Sequence, residues 1–300
     1  MKNIWLFLLS VGVSLATASQ EAPCSSIIAP SIPETTRKEY ELKRASAKEQ
    51  FEKNTANADA MLWYGRRTAY TGRYMEAISV FSNGIALHPD DARFYRHRGH
   101  RYITVRCFDK AIADLEEAAR LVKGQPDETE PDGLPNAKNI PTSTLQSNIW
   151  YHLGLAYYSK GEYAKAANAY RQCLKVSTNN DMYVATANWY HITLLRLGKK
   201  KKAKQLLDSV DPSKELIENK EYLDILMLYK READFADPLL LLEENNTLRS
   251  STYGYGVAMY CLLKQGGVQN ARKVLEKIVS GNQWASFGFI AAEAELAKMK

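Results

Sequence analysis

The side chains best suited to chemistry are five histidines (His88, His97, His100, His152 and His191) and the arginines that surround two of them in "FYRHRGHRY". His97 and His100 stand three apart, which puts both on one face of a helix, where they could ligate a metal or move protons. No third ligand lies nearby in sequence, so the spacing reads as a solvated basic helix rather than a metal site. His152 takes the equivalent slot in a later segment. His88, beside Pro89, suits a helix end, where a cation interacts favourably with the dipole. The common catalytic frameworks are missing: there is no Gly-x-Ser-x-Gly elbow, no Walker-type phosphate loop and no His-Glu-x-x-His zinc motif. Gly254-Tyr255-Gly256 lacks the third glycine of a nucleotide loop and lies in a helix-like run. The four lysines Lys199 to Lys202 fall on a turn and a helix start and read as a solvated corner. The chain is therefore expected to be no enzyme, with no catalytic residue, metal or cofactor. A hydrolase with an unrecognised site is the last of the readings considered.

The elements that would carry these residues are bounded by composition. A chain of 300 residues, 45% hydrophobic and 25% charged, can form one or two domains or one elongated repeat array. Its net charge of +6 permits an acidic partner, but no arginine-rich tail accompanies it and no nucleic acid is expected. Lys2, an apolar run from Ile4 to Leu15 and the small residues Ala16-Thr17-Ala18 read as a cleaved export signal over 1–18. A membrane anchor is the rival reading, but the run is shorter than the ~20 residues of a spanning helix. The expected location is the bacterial periplasm or the outside of the cell, with no membrane insertion after cleavage. Lipid attachment at Cys24 is not expected, because Glu21-Ala22-Pro23 lacks the usual apolar lead. Cys24, Cys107, Cys173 and Cys261 are spaced too widely for a disulfide framework or a metal knuckle. Cys173 and Cys261 sit in apolar helical runs and read as buried small residues, and the sequence argues for no bridge. Asn245-Asn246-Thr247 is a glycosylation sequon.

Residues 19–36, with Pro23, Pro30 and Pro33, read as a flexible linker, and 37–57 as a charged surface helix. Beyond them strand signals are absent: there is no sustained alternation and no hairpin dipeptide between β-branched runs. Self-similarity is present instead. "GRYMEAISVFSNGIALHPDD", "RCFDKAIADLEEAARLVKG" and "GEYAKAANAYRQCLKVSTN" align, each with an aromatic (Tyr74, Phe108, Tyr163) before an alanine (Ala77, Ala111, Ala166). Four residues later comes a large side chain: Phe81, Leu115 or Tyr170. Ala77 to Ala111 spans 34 residues, and so does Gly65 to Gly99.

These residues resemble the tetratricopeptide repeat family, whose pattern runs Trp, Leu-Gly, Tyr, Ala, aromatic and a terminal Pro. Trp150, Leu153, Gly154, Tyr157, Ala166 and Tyr170 fall in its slots, and Pro89 supplies the terminal proline of the first unit. Departures are Thr68 in the tyrosine slot of unit one, and His191 and Met259 in the glycine slots of units four and six. The resemblance implies an all-α, right-handed helical solenoid of helix-turn-helix repeats. Units one and two occupy 58–123, a Pro-rich acidic insertion 124–145, and units three to six 146–283, the last three degenerate. In the fifth, Asp237-Pro238 reads as a helix start, and a closing helix fills 284–300. Gly65, Ala77, Gly99, Ala111, Gly154 and Ala166 are the expected packing positions, with Gly154 facing Ala166.

In this family the first helix of each unit lines a concave groove that holds peptides or other partners. Mapped onto this sequence, that wall is Trp63, Arg66 and Tyr70, then Arg93, Arg96, His97 and His100. It continues through Asn148, Tyr151, His152 and Tyr158 to Asn188 and Trp189. The wall is basic and aromatic, suited to an anionic segment. The implied function is a non-enzymatic interaction module or scaffold that binds a protein or peptide, acidic in character. The alternative is an accessory or sensor subunit for a small anionic molecule. The insertion, with Asp127, Glu128, Glu130 and Asp132, reads either as a lid or built-in competitor for the groove or as a mobile loop.

Overall fold

Small residues recurring every 34 positions let paired helices close on each other, and the computed structural model is built of such pairs. It describes residues 24–232, 238–242 and 248–299. The export signal over 1–18, Asp237 and the sequon at Asn245 lie outside the described residues. A lone helix α1 (Glu34–Lys53) precedes four pairs. They are α2 (Ala58–Tyr70) with α3 (Tyr74–Leu87), α4 (Ala92–Thr104) with α5 (Phe108–Leu121), α6 (Leu145–Lys160) with α7 (Tyr163–Val176), and α8 (Asn180–Arg196) with α9 (Lys200–Asp208). Then come α10 (Lys220–Arg231), a 3-10 turn (Pro238–Leu241), the pair α11 (Leu248–Lys264) and α12 (Val268–Val279), and α13 (Phe287–Lys298). The fold is an all-α helical repeat solenoid, and the described residues hold no strand beyond one isolated bridge, Thr129 to Thr144. The fifth unit keeps α10, but Pro238 opens a 3-10 turn there instead of an α-helix.

Local chemistry repeats with the units. Asn57, Asp91, Thr144 and Asn179 each cap a first helix by accepting a backbone N–H with the side chain. Between the helices of a pair the chain turns through a left-handed residue, Gly72, Gly161 or Gly198. In the second unit that residue is Arg106 at φ 63°, where a side chain costs roughly 1–2 kcal/mol.

Close approach explains the small residues. A Cβ on Gly65 would lie 2.4 Å from the Phe81 ring, one on Gly99 2.8 Å from Leu115, and one on Gly154 2.4 Å from the Tyr170 ring. Gly154 thus faces Tyr170 rather than Ala166, because the aromatic one turn further along fills the space the glycine leaves. Ala77, Ala111 and Ala166 are fully buried. The departures Thr68, His191 and Met259 are buried as well.

Successive first helices touch (α2 with α4, α4 with α6, α6 with α8, α8 with α11), whereas the second helices α3, α5 and α7 make no comparable contacts with one another. That inequality bends the stack, with the first helices on its inner wall. The segment read as a free linker is tied down: Cys24 is bonded to Cys107, Ile27 packs on the core, and Pro30 lies against Gly72. Helix α1 accordingly starts at Glu34, three residues before the expected boundary. Cys173 and Cys261 are free and buried.

Candidate interaction groove

The inner wall presents the basic and aromatic residues expected of a groove, but much of it is covered by the chain itself. Residues 128–134 run as a strap across α2, α4 and α6. Its short bridge to 143–145 is fixed by Glu130 N–H donating to Ser143 O (3.1 Å) and Leu145 N–H donating to Glu128 O (2.8 Å). Arg96 donates to the Glu130 carboxylate at 2.9 Å, with both side chains about nine-tenths buried (8% and 11% exposed). His97 Nε2 lies 3.8 Å from the same oxygen, and Asn148 Nδ2 donates to the other at 3.1 Å. Arg66 donates to Pro131 O and Arg67 to Gly133 O, both at 2.6 Å. Gly133 sits so close to Tyr70 that a Cβ would fall 1.7 Å from its hydroxyl oxygen. Further along, Asn179 donates to Thr142 O (2.7 Å), Thr142 bonds Glu218, and Lys138 pairs with Glu215.

His97 and His100 do not form a solvated face. His97 is buried, stacked on Phe81 at 5.5 Å, and bonded through Nδ1 to Arg96. His100, half-buried, lies 4.2 Å from the buried His152 ring, and Phe287 of α13 packs on both. Burial pushes all three imidazoles well below the usual histidine range, and the charges of Arg96 and Arg101 push the same way. The helical spacing was read correctly, but the units on either side cover the face.

Among the other mapped residues, Trp63 is half-exposed, with the guanidiniums of Arg66 and Arg67 at 4.4 and 4.9 Å from its ring. Arg93 is paired with Asp91 (2.6 Å) and Asp59 (2.7 Å), so its charge is already answered. Trp63, Arg66, Arg93 and His97 line an open cleft of about 320 Å³ along the outer edge of the strap. Asn148, Tyr151 and His152 are buried, and Tyr151 shares a hydroxyl bond with Tyr222 (3.1 Å). Tyr158, Asn188 and Trp189 are buried too. Tyr255 of α11 donates to the Tyr158 hydroxyl (2.8 Å) and stacks on Trp189 at 5.4 Å. That half of the wall is closed by α11 together with α13, which packs on α6, α11 and α12. Arg196 pairs with Glu295 of α13 at 2.5 Å. Arg106, in its left-handed turn, pairs with Glu293 at 2.7 Å and lies 3.9 Å over the Trp284 ring.

Sequence reasoning missed Arg67, Arg106, Arg196 and Glu295. The one available signal was Arg106 in a slot that takes glycine in other units. Among the described residues no group of three or more histidine, cysteine or carboxylate side chains is placed to hold a metal, and no helix is long and apolar enough to cross a membrane.

The sequence model of the tetratricopeptide repeat matches residues 147–180. No curated protein matches the chain. Among solved structures, YrrB, described as a TPR protein with an unusual peptide-binding site, is similar at 12% identity and TM-score 0.43, over 83% of this chain and 97% of that one. MamA is similar at 16% identity and TM-score 0.44, over 68% and 91%. A tetratricopeptide repeat protein from Parabacteroides merdae ATCC 43184 is similar at 15% identity and TM-score 0.47, over 88% and 82%. The matched stretch is the pair α6 and α7 with its Trp150, Gly154, Ala166 and Tyr170, and the same glycine-to-large-residue closure recurs one period apart in the two preceding pairs. Residues 147–180 match the tetratricopeptide repeat, and the described helices form an all-α helical repeat solenoid.

Proposed function

We propose that the protein is a non-catalytic interaction scaffold whose inner groove binds an extended acidic segment of a partner protein, in exchange for its own strap. The observation that carries this reading is the clasp on Glu130. A carboxylate on an extended chain is held by Arg96, His97 and Asn148, while Arg66 and Arg67 take backbone carbonyls that any peptide would offer. Charge-assisted bonds to a buried guanidinium are strong, which supports an acidic occupant. The strap's outer side is exposed at Glu128, Thr129, Pro131 and Leu134, which suits a segment that can be lifted away.

The probe is a labelled peptide copying Gln125 to Gly133. Its binding to the intact protein should strengthen in Glu130→Ala, where the internal occupant is weakened. It should be lost in Arg96→Glu and fall with added salt. If the peptide binds neither the wild type nor Glu130→Ala, the groove is not the docking site.

Export to an oxidising compartment belongs to the same proposal. It is supported by the Cys24–Cys107 bond, of a kind that persists outside the cytosol. N-terminal sequencing of the mature protein should begin near Ser19. Recovery of the soluble chain with Met1 retained would overturn it.

A further inference from the structure

We propose that the cavity beneath the strap is a binding site for a small oxyanion, a phosphate or a carboxylate group, held by the guanidiniums of Arg66 and Arg101. The cavity measures about 180 Å³ and lies between α2 and α4 on one side and residues 130–134 on the other. Room of that size admits an anion of a few heavy atoms with some water, but not a peptide side chain with its backbone.

Charge accounting points to the ligand. Arg96 is answered by Glu130. Arg66 is buried, yet it donates only to the carbonyl of Pro131, and its Nε finds no acceptor. The Nε of Arg96 is likewise buried without an acceptor. Arg101 also lines the cavity, and among the described residues no hydrogen bond or ion pair engages its side chain. Its one ring contact is Tyr74, at 5.9 Å. Three carboxylates line the same cavity: Glu130 is clasped by Arg96 and Asn148, Glu218 accepts from the Thr142 hydroxyl, and Asp132 lies on the strap itself. Asp132 is pushed up by burial and then by Glu218, towards its neutral form. Burial pushes the Arg101 guanidinium down to about 10; Tyr74 and Tyr70 oppose that shift, and Arg96 and Arg66 add to it. Unmet buried N–H groups are rare, and the Nε atoms of Arg66 and Arg96 are two of them. A guanidinium offers the planar pair of donors that matches either oxyanion.

The inference goes beyond the groove reading, because Arg101 takes no part in holding the strap. Inorganic phosphate and, separately, succinate should be titrated into the intact protein at constant ionic strength, followed by calorimetry and melting temperature. At least one should bind saturably and raise the melting temperature. Saturation by phosphate alone assigns a phosphoryl group, and saturation by succinate alone assigns a carboxylate. Arg101→Gln should weaken binding by about tenfold or more, since a charge-assisted contact is lost. Lys200→Gln, on an exposed corner outside this cavity, should bind as the wild type does. Arg101→Lys covers the case in which glutamine disturbs the fold: it keeps the charge and loses the fork, so binding should be weaker but measurable. The proposal is overturned if neither anion saturates the wild type, or if Arg101→Gln binds as tightly as the wild type. Neither result would touch the peptide experiment, which reads Glu130 and Arg96.

Discussion

Glu130 and Glu295 meet the same requirement, a counter-charge for a buried arginine on the inner wall, in two different settings. Glu130 belongs to a strap with no helix of its own, surrounded by exposed residues and held by polar contacts. Glu295 belongs to α13, whose Phe289, Ile290, Ala291 and Ala292 are all buried, and it holds Arg196 with only 4% of its side chain exposed. The clasp on Glu130 can open locally, letting water reach Arg96 while the helices stay paired. Opening at Glu295 requires α13 to leave, with all the apolar surface it covers. One end of the wall is covered by a partly exposed strap held by polar contacts, and the other by a helix packed through buried apolar side chains.

The largest effect is therefore expected at the C-terminal end. Glu295→Ala strands Arg196 in the interior and should lower the unfolding free energy by about 3–5 kcal/mol. Glu130→Ala should cost less globally, about 1–2 kcal/mol, because the strap can lift and solvate Arg96. Its signature should be local, with protease cleavage within 124–145 accelerating well before the melting temperature moves. Denaturant unfolding alongside limited proteolysis checks both. Equal losses of stability, with no change in cleavage, would erase the distinction between the two covers.

Acid provides a second, smaller comparison. His97, His100 and His152 cluster on α4 and α6 and are held well below the usual histidine range by burial, while His191, on α8, is lowered to about 4. A histidine whose folded pKa lies below its unfolded value of about 6.5 binds its proton more readily in the unfolded chain. Stability should therefore be full above about 6.5 and fall as pH drops below it, by up to about 1.4 kcal/mol per pH unit for each such histidine. The contribution of His191 should level off near its folded value of about 4. With three of the four groups in one place, amide exchange between pH 7 and 5 should rise first in α4 and α6. A uniform rise along the chain would place the acid response elsewhere.

How much of this was legible in the sequence follows from what each feature is made of. The repeats were legible because glycine, alanine and aromatics must return at fixed spacing for helices to close, as at Gly65 and Gly99. Side-chain identity there is dictated by packing. The strap was half legible: its carboxylates opposed a basic wall, but Arg66 and Arg67 grip the backbone carbonyls of Pro131 and Gly133, which leave no mark on residue type. The bond between Cys24 and Cys107 joins residues 83 apart, and no local spacing announces it. The burial of His97, His100 and Trp189 was missed because a helical wheel gives direction and not what lies beyond it. α11, α13 and the strap return to the wall from distant parts of the chain or across an irregular loop, as Phe287 does on His100 and Tyr255 on Trp189, a tertiary matter on which periodicity is silent.

The smallest effect is expected where charge is densest in sequence and least engaged in structure. Lys200, Lys201 and Lys202 begin α9 on an exposed corner, and none pairs with an acidic side chain among the described residues. Isolated surface charges contribute little, because solvent and salt screen them. Lys200→Glu with Lys201→Glu should shift the unfolding free energy by no more than about 0.5 kcal/mol, with a favourable bias from placing acid at a helix N-terminus. Binding of the Gln125–Gly133 peptide should be unchanged, whereas Arg96→Glu, a single reversal, should abolish it. That pair of variants separates an arranged site from bulk attraction between a basic protein and an acidic peptide. If the lysine pair weakened capture as much as Arg96→Glu, the clasp on Glu130 would be no more than one contact in a diffuse field.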